Sequence, residues 1–300
     1  MKNRENRGKM TLLEKYQPFL VNNTQPGNQP VWLSLSAAGW KLLIRENLTP
    51  FIEEELHMRQ IGDYLWATDY ADGRRKVLSF FMVNDAYATF RWGWNFDFVP
   101  RVVSGGRLVW ARTDKSIYTH IYEVSEDFSG YAVPNGKKQD ISPQTGLSKF
   151  SAVCREKGFL NALCGGFLGQ KNEQMYKAVS EKKPDARKMT IVSRYEIDAK
   201  KPEKGLAEKI EHHKAVFFYL LPLITEYYQA TDTYEKILER IEQNMQCNYY
   251  RLINGDNNVI SYLFIEKRLG MVEKTFRDFE KVSFRETVRD RLLDRLRSIE

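Results

Sequence analysis

The stretch Phe90-Arg91-Trp92-Gly93-Trp94-Asn95-Phe96-Asp97-Phe98 decides the fold of the first half of this chain. Every even-numbered position in it is aromatic, and the odd-numbered positions hold Arg, Gly, Asn and Asp. Successive side chains of a β-strand point to opposite faces of the sheet, so this alternation separates a row of aromatic rings from a polar face. The stretch therefore predicts a β-sheet with one aromatic face.

Two interpretations of this aromatic row are open from the sequence. Packed against helices, the rings form a core, because burial of apolar surface contributes about 25 cal/mol per Å². Left exposed, the same rings would form a platform for stacked bases, worth about 1–3 kcal/mol per base. In that case the candidate binding residues are the nearby cations Arg91, Arg101, Arg107 and Arg112. Because helices are available to cover the sheet, we favour the core.

Residues on either side of the aromatic stretch extend the sheet. Tyr64–Tyr70 alternates aromatic with polar or small positions, and Lys76–Val83 is an apolar strand. Between them lies Asp72-Gly73, a favoured tight-turn dipeptide, so an antiparallel meander is expected. Further short strands are predicted at Leu108–Ala111, Ile117–Val124 and Met189–Ile197.

Helices are predicted before and after these strands. Thr49-Pro50 begins an N-terminal helix, with Thr as the N-cap and Pro at the first helical position. Leu206–Tyr228 is a long amphipathic segment that Pro222 interrupts, and further helical segments follow it to the end of the sequence. The predicted fold class is α+β: an antiparallel sheet with a covering N-terminal helix, followed by a C-terminal helical bundle.

The chain divides into three predicted regions. Residues 1–30 are a flexible basic tail and loop, since Met1–Lys9 is rich in cations and residues 22–30 are rich in Asn, Gln, Pro and Gly. Residues 31–200 form the α+β region with the antiparallel sheet, and residues 201–300 form the helical region. The two larger regions are small enough to share one core.

Composition limits the class of protein. Of 300 residues, 42% are hydrophobic and 28% are charged, which is typical of a globular protein. The net charge of +7 permits contact with phosphates or acidic proteins without requiring either. The longest uncharged apolar run, Ala215–Thr225, is too short to span a bilayer, and the N-terminus shows no signal peptide. We therefore predict a cytoplasmic protein with no membrane contact.

The sequence gives little support to a metal or cofactor site. Cys154, Cys164 and Cys247 are widely spaced and contain no CxxC pair, which excludes a zinc ribbon. His212 and His213 are adjacent on a predicted helix, so they cannot both face one metal ion. We predict no metal site and no cofactor.

One pattern is similar to catalytic chemistry. Asp185 and Asp198 flank the predicted strand Met189–Ile197, and Lys200 follows. In metal-dependent nucleases, two carboxylates bind a divalent cation and a lysine helps to position the attacking water. Here Asp198 comes at the end of the strand rather than within it, so a strand that ends in a charged turn is the favoured alternative. The three residues are candidate catalytic residues only if the protein is a nuclease.

Several segments also carry a family resemblance. Asn95–Pro100 ends the aromatic strand with the pattern N-x-x-F-x-P, and Leu221-Pro222-Leu223 comes late in a long helix. In these segments the region 40–290 resembles an uncharacterised bacterial family, domain of unknown function 4304. The resemblance implies an N-terminal helix, a strand meander and a helical tail, and it supplies no catalytic residues. His57–Gly62 departs from the family's G-F-x-K segment.

Together these patterns predict a non-catalytic cytoplasmic binding protein. The chain has the elements of a complete fold, many aromatic residues and no convergent acid–base or metal set. The expected partner is a protein, which would meet the polar face of the sheet and its adjacent loops. The alternative is a nucleic-acid-binding protein that uses the four arginines and that could be a metal-dependent nuclease.

Overall fold

In the part of the chain that the structure describes, a sheet region is followed by five C-terminal helices. A computed structural model describes residues 10–23, 32–82, 87–103, 106–110, 112–114, 119–123, 192–193, 197–246, 256–282, 284 and 286–299. Residues 1–9, the three cysteines and Asp185 lie outside these ranges. No helix within the described ranges is both long enough and apolar enough to cross a membrane.

An antiparallel sheet of six strands is the centre of the first region. The strands are β3 (Arg59–Gly62), β4 (Leu65–Ala67), β5 (Arg74–Met82), β6 (Tyr87–Phe96), β9 (Ile121–Glu123) and β10 (Val192–Ser193). Their order is β10-β6-β5-β4-β3, and β9 also pairs with β6. The longest ladder joins β5 to β6 and places Phe80 opposite Phe90. The predicted antiparallel meander is confirmed.

Two smaller sheets accompany the main sheet in the described residues. One contains β1 (Leu20–Asn23), β2 (Trp32–Leu35) and β11 (Ile197–Asp198), and the other is the hairpin of β7 (Arg101–Val103) and β8 (Arg107–Val109). Residues 20–23, which we predicted to belong to a flexible tail and loop, pair instead with β2, because Leu20 packs on the core opposite Leu35. The predicted strand Met189–Ile197 contributes to two different sheets, through β10 and β11.

Three short helices lie in the N-terminal region: α1 (Leu12–Tyr16), α2 (Ala37–Asn47) and α3 (Thr49–Leu56). Helix α2 covers the sheet, with its Trp40 ring stacked 6.1 Å from that of Phe80. Thr49 lies inside α3 and does not cap it, contrary to our prediction. Its hydroxyl instead accepts a hydrogen bond from the Trp66 indole at 3.1 Å.

The C-terminal bundle confirms the second half of the predicted fold class. Its helices are α4 (Pro202–Ala230), α5 (Tyr234–Gln246), α6 (Asp256–Arg268), α7 (Val272–Lys281) and α8 (Glu286–Ser298). Helix α4 continues through Pro222, which we expected to interrupt it. Proline removes one helical hydrogen bond, but Pro222 is exposed, so solvent can reach the carbonyl that loses its partner.

Helix α4 also joins the bundle to the sheet. The Tyr228 hydroxyl accepts a hydrogen bond from the Gly93 N–H at 3.2 Å and donates one to the Val77 carbonyl at 2.8 Å. Val77 and Gly93 lie opposite each other, so the hydroxyl stands within the β5–β6 ladder. One hydrophobic cluster contains side chains from the sheet and from the bundle. The division into regions 31–200 and 201–300 stays a prediction.

Candidate binding surface

The aromatic row of β6 belongs to the core. Phe90 and Phe96 are fully buried, and Trp92 and Trp94 are 3% and 5% exposed. Helix α4 covers the row, with the Phe217 ring 5.7 Å from Phe90. The preferred interpretation is therefore confirmed, and a base-stacking platform made of these rings is excluded because their faces are occupied.

The middle of the opposite, polar face of β6 is also buried, whereas Arg91 and Asp97 on that face are half-buried. Arg75, only 3% exposed, donates hydrogen bonds to Asn95 Oδ1 and to Asp114 Oδ1, both at 2.9 Å. The Arg59 guanidinium reaches Asp114 Oδ2 at 2.8 Å, and its hydrogen bond lowers the pKa of that carboxyl. Our expectation that this face meets a partner is wrong for Arg75 and Asn95, because both are buried and their polar groups are satisfied within the protein.

A buried histidine completes this network. His120 accepts a hydrogen bond from the Phe96 N–H at 3.1 Å through Nδ1, and its Nε2 donates to the Val99 carbonyl at 2.8 Å. This arrangement requires the neutral ring, and burial lowers the pKa of His120 to about 3. Both ring nitrogens are occupied, so His120 stabilises the polar network and has no nitrogen left for a metal ion.

The four predicted binding arginines occupy two different environments. Arg91 lies on the sheet, where its Nε donates to Ser79 Oγ at 3.1 Å and its guanidinium stands 4.4 Å from the centre of the Tyr122 ring. Arg101 and Arg107 are exposed on the β7–β8 hairpin. Their partners across the ladder are Val109 and Val103, so the pleat places both arginines on one face of the hairpin. Of the four, at least Arg101 and Arg107 share a surface.

The last helix contributes cations that we did not predict. Arg295 on α8 lies over the Trp110 ring, 4.8 Å from its centre, and Arg112 lies 5.4 Å from the same centre. Arg291, one turn before Arg295, donates a hydrogen bond to the Gly106 carbonyl at 3.0 Å. The hairpin, the following loop and α8 together form a surface of five exposed arginines and the half-buried Trp110. We call it the arginine–tryptophan surface; it consists of Arg101, Arg107, Trp110, Arg112, Arg291 and Arg295.

Most arginines on this surface take part in no ion pair among the described residues. Within the part of the chain that the structure describes, Arg107, Arg112, Arg291 and Arg295 form no salt bridge. Arg112 instead donates to the Asp97 backbone carbonyl at 2.8 Å. Guanidinium groups fixed by an aromatic ring and by carbonyl oxygens keep free N–H donors for carboxylate or phosphate oxygens. The surface can therefore bind an anionic partner without first breaking an ion pair of its own.

The nuclease residues are only partly described. Asp198 and Lys200 are exposed at the turn between β11 and α4, where the Lys200 N–H donates to Asp198 Oδ1 at 2.8 Å. Asp198 thus has a turn-forming role, as the favoured interpretation expects. The nuclease alternative also needs Asp185, which lies outside the described residues. A shallow groove beside this turn is lined by Leu13 and residues 201–204 and 207, and contains neither side chain. Among described residues, no three His, Cys, Asp or Glu side chains are grouped to hold a metal.

Comparisons with protein-family models, with curated proteins and with solved structures find no match to this chain. The function must therefore be inferred from the geometry of the molecule.

Proposed function

We propose that the protein is a non-catalytic binding protein and that it binds an acidic protein partner at the arginine–tryptophan surface. One observation carries the proposal: Arg112 and Arg295, from distant parts of the chain, lie over the same Trp110 ring, and neither forms a salt bridge among the described residues. The fold thus brings two guanidinium groups to one indole. A carboxylate that contacts either group would reduce the repulsion between them.

The composition of the surface favours a protein partner. Arg and Trp are enriched among the residues that dominate protein–protein binding energy. The exposed acids Asp290 and Asp294 each precede one of the arginines of α8. A surface of mixed charge suits a protein that presents carboxylates beside basic groups, whereas these acids oppose a continuous phosphate backbone.

Nucleic acid is the second candidate, and the packing of guanidinium on indole favours it. Guanidinium planes over an aromatic ring are a recurrent feature of surfaces that stack bases and contact phosphates. The net charge of +7 also favours binding to nucleic acid. Our proposal also includes a bacterial origin, which the family resemblance suggests, and a cytoplasmic location, which the composition suggests.

A binding titration tests the proposal and separates the two partners. The probes are a fluorescent oligoglutamate peptide and labelled single-stranded and duplex oligonucleotides, each titrated with protein across a range of salt concentrations. We expect the peptide to bind, and Arg112→Glu/Arg295→Glu to weaken it by about tenfold or more. Lys204→Glu/Lys236→Glu is the control, because it changes the net charge equally at exposed positions on α4 and α5.

The outcomes are distinct. If only the oligonucleotides bind, and their affinity falls steeply as salt rises, the partner is nucleic acid and not an acidic protein. If no probe binds at low salt, or if both double variants lose the same affinity, the arginine–tryptophan surface is not the binding site.

The same oligonucleotides test the absence of catalysis. Incubated with the protein and Mg²⁺, they should be recovered intact. Cleavage that Asp198→Ala abolishes would establish the nuclease alternative, because the second carboxylate of the motif would then be shown to act with a metal ion.

A further inference from the structure

Helix α8 is anchored less firmly than the other helices of the bundle. Each of α4–α7 makes a hydrogen bond or ion pair with another element in which at least one side chain is buried. The examples are Tyr228 on Val77, Arg240 with Glu123, and Glu266 with Lys274. Among the described residues, α8 makes one side-chain hydrogen bond to another element, and it is exposed: Arg291 donates to the Gly106 carbonyl at 3.0 Å.

The apolar contact of α8 with the rest of the protein is narrow. Val288, Leu292 and Leu296 are its buried hydrophobic side chains in the described part of the helix, and they are 7%, 1% and 0% exposed. They follow one another every four residues, so they form a single stripe on the side of the helix that lies against α6 and β8. An isolated helix of 13 residues is marginal in water, so α8 needs this contact to stay helical.

The β7–β8 hairpin depends on α8 in return. The hairpin is a separate sheet of two strands, and two strands alone are marginally stable. Arg291 binds the carbonyl of Gly106 at its turn, and Arg295 lies over the Trp110 ring directly after β8. The hairpin and α8 therefore hold each other in place.

The arginine–tryptophan surface is complete only while these two elements are together. Three of its five arginines come from the hairpin and the following loop, and the other two come from α8. Arg291 follows Gly106 by 185 residues, so the two groups of arginines meet only through tertiary packing. If α8 left the hairpin, the surface would lose two guanidinium groups, and Trp110 would lose the contact with Arg295.

We infer that α8 is a reversible latch, that its docking on the hairpin completes the arginine–tryptophan surface, and that an acidic partner holds it docked. A ligand that binds one of two states shifts the population toward that state. A partner whose carboxylates contact arginines of both segments binds the docked state better than the undocked one. The coupling to a partner rests on the proposed function, whereas the reversible docking does not.

Hydrogen–deuterium exchange on the full chain measures the docking. In the free protein, amides of α8 should exchange at least about tenfold faster than those of α4 between residues 206 and 228, because α8 opens without unfolding of the whole molecule. The oligoglutamate peptide, added at about ten times its Kd, should slow the exchange of α8 about tenfold.

Arg291→Gln tests the contact that joins α8 to the hairpin. The variant loses the hydrogen bond to the Gly106 carbonyl, so the amides of α8 should exchange about threefold faster or more. Arg297→Gln is the matched control, because it removes the same charge from an exposed position on the same helix. Its exchange should equal that of the wild type.

Two matched truncations test whether docking controls binding. Leu292→Ala shortens a buried side chain of α8 and keeps every residue of the surface. It should weaken binding of the oligoglutamate peptide by about threefold or more, since the apparent affinity falls with the docked fraction. Leu206→Ala is the control, because Leu206 is equally buried near the start of α4, a helix that lies against α1 and β11. It should bind like the wild type, and far-UV circular dichroism checks that both variants are folded.

The latch and the proposed function fail in different ways. Exchange of α8 as slow as that of α4, or equal exchange in Arg291→Gln and Arg297→Gln, would overturn the latch. If the peptide binds the wild type and Leu292→Ala equally well, the proposed function stands and the coupling is wrong. If the peptide does not bind the wild type, the proposed function and the coupling are both wrong, and the exchange of the free protein still decides whether α8 docks reversibly.

Discussion

Gly93 is a position where a single added methyl group would disturb the sheet. A Cβ atom there would lie 1.9 Å from the Ile121 carbonyl oxygen and 2.6 Å from the Tyr122 Cα. Both are backbone atoms, so relief requires β9 to move away from β6. We expect Gly93→Ala to lower the free energy of unfolding by about 3 kcal/mol, measured by urea denaturation.

The matched control for this change is Gly62→Ala. Its Cβ would lie 3.5 Å from the Leu65 Cβ, an ordinary van der Waals contact, so it should change stability by less than about 1 kcal/mol. If both variants lost the same free energy of unfolding, close packing of β9 on β6 would not be the cause of the loss at Gly93.

His213 makes stability depend on pH. It is fully buried, its Nδ1 lies 2.5 Å from the Lys209 carbonyl oxygen, and its Nε2 has no hydrogen-bond partner in the described part of the chain. Burial lowers the pKa of His213 from 6.5 to about 3. The unfolded chain therefore takes up the proton at a higher pH than the folded one. The stabilisation by the neutral ring is complete above about pH 6.5 and is lost as the pH falls toward 3.

Replacing this ring should make the acid side of the stability profile less steep. Between about pH 4 and 6, His213→Leu should reduce the slope of unfolding free energy against pH by about 1.4 kcal/mol per pH unit. Urea denaturation at several pH values measures both slopes. Parallel profiles for wild type and variant would contradict a neutral buried histidine.

At the scale of elements, an ion pair connects β9 to the bundle. Arg240 on α5 contacts Glu123 through Nε at 2.5 Å and Nη2 at 2.8 Å, and the Glu123 side chain is only 4% exposed. Removing the arginine takes two charge-assisted hydrogen bonds from a nearly buried carboxylate, which is more costly than the intact pair is worth. We expect Arg240→Ala to lower the free energy of unfolding by about 3 kcal/mol in urea denaturation.

An exposed pair at the start of the same helix provides the comparison. Lys236 and Asp232 are 2.7 Å apart with about half of each side chain exposed, so Lys236→Ala should cost less than about 1 kcal/mol. In addition, Glu123→Leu/Arg240→Leu should be more stable than Arg240→Ala, because it removes both charges. If the double variant were the less stable of the two, desolvation of the carboxylate would not be the dominant cost.

The main sheet could be predicted because its signals are local. The alternation from Phe90 to Phe98 and the Asp72-Gly73 turn indicate strands, faces and connections within a few residues. Strand β1 was missed because it has four residues and is defined by pairing with β2 and by packing of Leu20 on the core. Whether helix α4 continues through Pro222 depends on whether that residue faces solvent, and this is decided by tertiary packing alone.

The candidate site could be predicted only in part, for the same reason. Arg101, Arg107 and Arg112 were identified by their charge and proximity in sequence. Their association with α8 depends on contacts between residues that are far apart in the chain. The spacing of Arg291 and Arg295, which places both on one helical face, was the available local signal. Polar alternation also could not distinguish a solvated face from the buried network around Arg75, since both require polar residues.

At the scale of the whole molecule, contacts between the sheet and the bundle predict that the two regions unfold together. The Trp94 indole donates to Thr231 Oγ1 at 2.8 Å, just after α4, and the Arg74 guanidinium lies 4.8 Å from the centre of the Tyr234 ring. All six tryptophans precede residue 111, whereas helices α4–α8 follow residue 201. Tryptophan fluorescence therefore reports on the sheet region, and far-UV circular dichroism reports mainly on the bundle.

We expect both signals to change at the same urea concentration, as in a two-state transition. Thr231→Val supplies the decisive comparison, because it removes a buried hydrogen bond on the bundle side and should cost about 1–3 kcal/mol. In a shared core, both midpoints must fall by the same amount. Two separate midpoints in the wild type, or a shift confined to the circular dichroism signal, would instead establish regions 31–200 and 201–300 as independent folding units.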